Sequence, residues 1–210
     1  MFGIRAAVIA AVATLSVGLP TAHAQDTQSV LTPENANEAR LNRLQPPEQV
    51  MDAIGIRPGM VGAEIGAGRG RYVVQLAVRV GETGKIYGED IDAAALRHLE
   101  QRCARWGLTN VETILGEVSD PKLPDGELDF IFVISAYHHF DDPVALLGAA
   151  RASLKPDGML AIAEWLRSTS PEKMEAQMTD AGYRLERTET SLEENGLYIY
   201  VFRIGDAPRE

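Results

Sequence analysis

From Pro46 onward, short apolar runs alternate with stretches in which apolar residues recur every three or four positions. Pro47–Ile54 reads as a helix opened by proline and closed by Gly55, followed by a Pro58-Gly59 turn. Met60–Ile65 is a short run of β character, and Gly66–Gly70 is a glycine turn. Arg71–Val80 then carries Val73, Val74, Leu76, Ala77 and Val80 at helical spacing. The alternation repeats with a strand at Lys85–Glu89, a helix at Ala93–Trp106 stopped by Gly107, and a strand at Val111–Leu115. Phe130–Ile134 is apolar throughout, as a central strand buried on both faces requires. Val144–Leu154 predicts a helix, Lys155–Gly158 a turn and Met159–Trp165 the next strand. Ser170 and Pro171 open a helix that Gly182 closes. Tyr183–Thr190 and Leu197–Phe202 flank an Asn195-Gly196 turn, which predicts a closing antiparallel hairpin.

Strands alternating with helices and ending in a hairpin predict an α/β, Rossmann-like three-layer sandwich. Its sheet would be seven-stranded and mostly parallel, with an antiparallel C-terminal hairpin and one reversed strand near an edge. In such a sheet a ligand sits beyond the carboxyl ends of the strands, beside the first strand. The loops after Ile65, Glu89, Leu115 and Ile134 therefore matter most. Residues 25–45 are polar, contain Pro33, Asn35 and Asn37, and read as a tether, a lid or a loosely docked helix. Asn42, Arg43 and Gln45 are its candidate lid residues.

The first 24 residues differ from everything after them. Arg5 is a short positive region, Ala6–Leu19 is almost wholly apolar, Pro20 breaks it, and Ala22-His23-Ala24 offers a small-x-small cleavage pattern. This predicts a secretory signal peptide over residues 1–24 and a periplasmic or secreted domain over 46–210. The apolar run is short for a bilayer span, so no stable membrane span is expected after cleavage. The chain carries a net charge of −10, and −11 once Arg5 is lost with the leader. That field repels phosphates, which argues against nucleic acid and anionic membranes as partners. Cys103 is the only cysteine, so no internal disulfide or cysteine metal cluster forms; its place beside Leu99 and Trp106 suits a small buried hydrophobe.

Within this frame a few residues can carry chemistry. Glu64-Ile65-Gly66-Ala67-Gly68-Arg69-Gly70 lets a ligand approach the backbone closely, and the next helix would aim free N–H groups at anionic ligand atoms. Strand two ends Gly88-Glu89-Asp90-Ile91-Asp92, about 20 residues on, where a carboxylate can accept both hydrogens of a ribose diol. Asp90 is the choice and Glu89 the fallback, with Ile91 able to pack on a base; Asp92 fits a helix N-cap. After strand three, Glu117 could accept from an adenine amino group above Val118, or be a solvated turn acid. At the end of strand four, Tyr137, His138 and His139 are candidates for a proton acceptor, with packing of the corner as the alternative for Tyr137 and one histidine. Adjacent histidines on an extended chain diverge and no third ligand is evident, so no metal site is expected.

The strings VGAEIGAGRG, YGEDID, LGEVSD, LDFIFVISAYHHF and LKPDGML, in this order and spacing, resemble the class I S-adenosylmethionine-dependent methyltransferases over roughly Pro46–Phe202. Glu64 stands where aspartate is commoner in the family. The resemblance implies S-adenosylmethionine as cofactor and methyl transfer to a small-molecule or protein acceptor. It puts Glu64 and the turn of Gly66, Gly68 and Gly70 against the methionine end, Asp90 on the ribose, Glu117 and Val118 on the adenine, and Ser135 near the sulfonium. Arg69 or Arg71, flanking the glycine turn, would meet the cofactor carboxylate, with surface solvation the favoured alternative for Arg71. A nicotinamide-binding domain is the nearest competitor, but it would want glycine where Arg71 stands and would not normally end in this hairpin. Export leaves a second function open, a non-catalytic cofactor-binding domain of the envelope. The acceptor and the oligomeric state are not legible.

Overall fold

The computed structural model describes residues 30–165 and 167–205. The signal-peptide reading of residues 1–24 lies outside them. Seven strands, β1 (Val61–Ile65), β2 (Lys85–Asp90), β3 (Val111–Leu115), β4 (Leu128–Ile134), β5 (Leu154–Trp165), β6 (Tyr183–Glu189) and β7 (Leu197–Ile204), form one sheet. Their order is β3-β2-β1-β4-β5-β7-β6. Every pairing from β3 to β5 is parallel, and β7 runs antiparallel to both β5 and β6. The expected architecture therefore holds, with β7 as the reversed strand one place in from the edge.

Among the described residues, six α-helices accompany the sheet: α1 (Ala36–Leu44), α2 (Pro47–Ile54), α3 (Val73–Val80), α4 (Ala93–Trp106), α5 (Pro143–Ala150) and α6 (Pro171–Asp180). β4 shows why there are three layers. Its side chains alternate, so Phe130 and Phe132 join Val50, Ile54, Val73, Leu76 and Leu99 in one core. Ile131 and Val133 join Leu146, Leu147, Met174 and Met178 in the other. Phe130 through Val133 are fully buried, each aliphatic or aromatic side chain contributing about 1.5–3 kcal/mol relative to exposure. The caps follow the sequence: Asp92 accepts from Ala94 N–H at 2.7 Å to start α4, and left-handed Gly107 ends it.

Three local expectations need correction. The helix expected over Val144–Leu154 stops at Ala150, and a 3₁₀ turn at Arg151–Ser153 follows. Leu154 is buried and already paired with Leu128 in the sheet. Lys155–Gly158 is then a bulge inside β5, because the register jumps from Leu128↔Leu154 to Phe130↔Met159. Lys155 Nζ holds it to Asp129 at 2.7 Å. Finally, the β6–β7 connection is longer than a two-residue Asn195-Gly196 turn. The ladder ends at Glu189↔Ile199, and a 3₁₀ turn at Glu193–Asn195 precedes left-handed Gly196. Buried Leu192 ties this loop into the core, which outweighs the local turn preference. Among the described residues, no helix is long and apolar enough to cross a membrane.

Candidate cofactor and acceptor site

The carboxyl ends of β1, β2 and β4 open onto two adjoining cavities, of about 270 and about 310 Å³, which share Gly66, Ile134 and Ser135 and so make one groove. The glycine turn forms its floor. Gly66 and Ala67 N–H donate to the Glu89 carbonyl at 3.0 and 2.8 Å, and Gly68 N–H donates to Asp90 Oδ2 at 2.7 Å. At Gly70, with φ +83°, a Cβ would lie 2.3 Å from Leu99 Cδ1. Gly70 thus seats the turn on α4 and lines neither cavity. The expectation of turn and helix amides free for an anionic ligand is corrected here. The Gly66, Ala67, Gly68 and Gly70 amides are bonded inside the protein, and the Val73 N–H at the start of α3 bonds the buried Glu64 carboxyl.

The first cavity gathers the β2 and β3 residues. Asp90 lines it with each carboxylate oxygen accepting one backbone N–H, from Gly68 and from Asp92 at 2.8 Å. Ile91 and Val118 lie alongside at 60% and 47% exposure, large apolar side chains left in water. Glu117 is exposed on the same wall and ion-paired with Lys122. Glu89 is the fallback for the ribose diol. It also lines the cavity, is buried, and its carboxyl is pushed up to about 8 by burial, with Asp90 and Asp120 adding to the effect. Its one sequence signal is Gly116, where a Cβ would sit 1.9 Å from Glu89 Oε1.

The second cavity is polar and roofed. Glu64 lies at its base, buried, with Oε2 lacking any partner. Burial pushes its carboxyl up to about 8; Asp90 adds to the shift and Arg71 opposes it. The roof is α1, started by Asn35, whose side chain accepts from Glu38 N–H. Buried Glu38 meets buried Arg102 at 2.6 Å, while Glu34 meets His98 at 2.7 Å and Arg105 at 3.0 Å. Gln45, fully buried, donates from Nε2 to Ser135 Oγ at 2.6 Å and accepts from Arg71 Nη2 at 2.6 Å. Arg71 also donates to Asn42 at 3.1 Å, and burial lowers its pKa. Arg43 is exposed, and Arg69 lines this cavity while reaching His98 at 2.8 Å. Ser135, at φ +51°, is a left-handed non-glycine residue at the joint of the two cavities. Its amide bonds the Ala163 carbonyl at 3.0 Å, so strand pairing and Gln45 together hold the strained conformation.

Beyond Ser135, Tyr137 parts from the two histidines, whose rings meet rather than diverge because a 3₁₀ turn, not an extended chain, carries them. Tyr137 is buried against α6, donating to Gln177 Oε1 at 2.9 Å, and burial pushes its hydroxyl up to about 12. Its hydroxyl is not brought to the groove. His139 lines the first cavity. The His138 ring lies tilted against it, with centroids 3.9 Å apart, and turns Nδ1 to Glu164 Oε2 at 2.8 Å. Among the described residues, no group of three or more His, Cys, Asp or Glu is arranged to hold a metal ion.

The donor set is acidic where a dinucleotide would need to place its pyrophosphate. Glu64, Glu89, Asp90 and Glu117 line the groove, and the turn amides are already bonded. A ligand with a cationic centre, a diol and a flat apolar ring fits these groups; S-adenosylmethionine has all three. Comparisons agree. Residues 63–158 match the family described as a methyltransferase domain. A nocamycin O-methyltransferase from Saccharothrix syringae is 31% identical over 114 residues, 54% of this chain and 41% of that protein. A demethylmenaquinone methyltransferase from Staphylococcus aureus is 26% identical over 59% of this chain and 51% of that one. The chain thus spans about half the length, or less, of these curated relatives. The crystal structure of a SAM-dependent methyltransferase from Aquifex aeolicus superposes with TM-score 0.72 at 26% identity, covering 85% of this chain and 98% of that one. In this domain and in this fold the chain is similar to the class I S-adenosylmethionine-dependent methyltransferases.

Proposed function

We propose that this chain transfers the methyl group of S-adenosylmethionine to a small-molecule or protein acceptor, and that it works in the periplasm or after secretion. The observation that carries the transfer reading is the contrast along the groove, with exposed Ile91 and Val118 at one end and unpartnered Glu64 at the other. Ile91 and Val118 would flank the adenine, and Glu117 would accept from its amino group. Asp90 keeps a free lone pair on each oxygen for the ribose hydroxyls. Glu64, with Gly66 and Gly68, would meet the methionine end, where an ammonium gives Oε2 its missing partner. Ser135 would stand beside the sulfonium. When bound, the cofactor supplies a methyl carbon whose C–S bond breaks with the electron pair retained on sulfur. The protein contributes alignment, exclusion of water and a proton acceptor, for which His138 and His139 are the candidates.

Export rests on Arg5, the apolar run Ala6–Leu19 and the Ala22-His23-Ala24 pattern. Fusion to a reporter active only outside the cytoplasm tests it, with activity expected. Calorimetry with S-adenosylmethionine and S-adenosylhomocysteine on the protein from Gln25 tests the cofactor. One-to-one binding is expected, weakened about 10- to 100-fold by Asp90→Ala through lost charged hydrogen bonds. No binding by the parent protein would sink the reading. Binding without transfer to any acceptor would favour a non-catalytic envelope role.

A further inference from the structure

Glu164 has no part in the cofactor reading, yet it is a buried acid at the carboxyl end of β5. Its Oε1 accepts the Trp165 N–H at 2.8 Å, and its Oε2 faces His138 Nδ1 at 2.8 Å and the His138 N–H at 3.4 Å. A carboxylate offers only acceptors, so the neutral imidazole beside it carries its proton on Nδ1 and leaves a lone pair on Nε2. The His138 side chain stays 27% accessible while Glu164 is 1% accessible, so the carboxylate is hidden behind the ring. That ring touches His139, a wall of the groove, with the two planes tilted by 44°, and its bond to Glu164 holds it toward β5. Asp90 and Glu117 lie on the opposite, β2–β3 side.

We propose that Glu164 is a positioning residue that fixes His138 as the general base, and that the acceptor is a neutral compound presenting a hydroxyl group. This rests on the methyl-transfer reading above. A neutral amine attacks a methyl carbon through its own lone pair, and a thiol ionises readily. A hydroxyl oxygen must shed its proton as the bond forms, and this is where an oriented neutral imidazole matters. The proton passes from the acceptor O–H to His138 Nε2, and the O–H electron pair forms the O–CH₃ bond. The C–S pair stays on sulfur. Asp141 in the groove wall and neighbouring Asp142 disfavour carboxylate or phosphate acceptors.

Nitrogen-15 NMR of histidine-labelled protein, with His138 assigned through His138→Gln, reads the tautomer directly. The Nδ1–H form is expected in the parent and in Glu164→Gln, whose amide oxygen still accepts, and its loss is expected in Glu164→Leu. Methyl transfer to catechol is the activity arm. His138→Gln is expected to lower the rate about 100-fold or more, and Glu164→Gln about tenfold, with S-adenosylhomocysteine affinity unchanged in both. A staple that merely fixes the turn would leave Glu164→Gln at the parent rate. An Nε2–H ring in the parent protein overturns the proposal, as does a Glu164→Gln rate within about twofold of the parent. So does methylation of a thiol or amine probe with none on catechol. Absence of S-adenosylhomocysteine binding would instead strike the methyl-transfer reading, which keeps the two failures apart.

Discussion

The two ends of the groove are built on opposite principles. At the β2–β3 end, apolar side chains stand in water and the acids are either exposed or bonded to backbone amides. At the α1 end, charges are buried, paired across the roof, and one acid at the base has an oxygen without a partner. The first end gains by covering a ring, while the second gains by giving an unpartnered buried oxygen a donor. A ligand with an adenine at one end and an ammonium at the other relieves both at once, so its affinity comes from defects that the free protein tolerates.

The largest effect should come from breaking the roof. Glu38→Ala leaves Arg102 buried without its carboxylate, a loss expected to be about 3–5 kcal/mol unless α1 detaches. Urea unfolding together with amide exchange across Ala36–Leu44 separates these outcomes, and an unchanged profile in both would show that the roof pair carries nothing. Next comes pH. Glu64 and Glu89 hold their protons up to about 8 when folded but ionise near the ordinary 4.5 when unfolded. Between those values the folded state binds more protons, so stability falls as pH rises from about 4.5 through about 8. The melting temperature of the free protein should drop across that window. Glu64→Gln should flatten the drop, and saturating S-adenosylmethionine should do so too if its ammonium neutralises Glu64. A steeper drop with ligand bound would contradict the contrast between the two ends.

A smaller effect is expected at the apolar end. Ile91→Ser combined with Val118→Ser should weaken S-adenosylhomocysteine about tenfold by calorimetry, from lost apolar contact. Because both residues are already exposed, stability should hardly move. The smallest effect concerns Tyr137. Tyr137→Phe removes its bond to Gln177 and should cost about 1 kcal/mol in chemical denaturation, with cofactor affinity and transfer rate intact. A collapse of the transfer rate would return Tyr137 to the chemistry.

What was legible follows from which residues announce themselves by pattern. Phe130–Ile134 as a buried strand, Asp92 as a cap and the reversed strand near the edge all follow from periodicity and turn chemistry, and the fold holds them. Leu154 was read as the end of a helix because apolar runs do not distinguish a helix end from a strand start. Its pairing with Leu128 is a long-range fact. The groove divides in the same way. Asp90, Ile91, Glu117 and Val118 sit at strand ends that topology points to a ligand, and all four line one cavity. Glu38, Arg102 and Glu164 do not announce themselves, because each depends on a partner far away in the chain and in isolation looks like a charge turned to water. Tyr137, His138 and His139 were legible as a group but not as individuals, since a 3₁₀ turn sends adjacent side chains to different neighbours.

Gln45 links the roof, the strained Ser135 and Arg71 through one buried amide. A protease that nicked the chain just before it would leave every sheet strand intact and take from the cores only Val30. The polar partners of Arg71, Arg102 and Ser135 would then be held only by a loose end. A molecule so cleaved would keep its whole sheet while the groove loses its roof, so limited digestion would cost circular dichroism no more than the nine residues of α1.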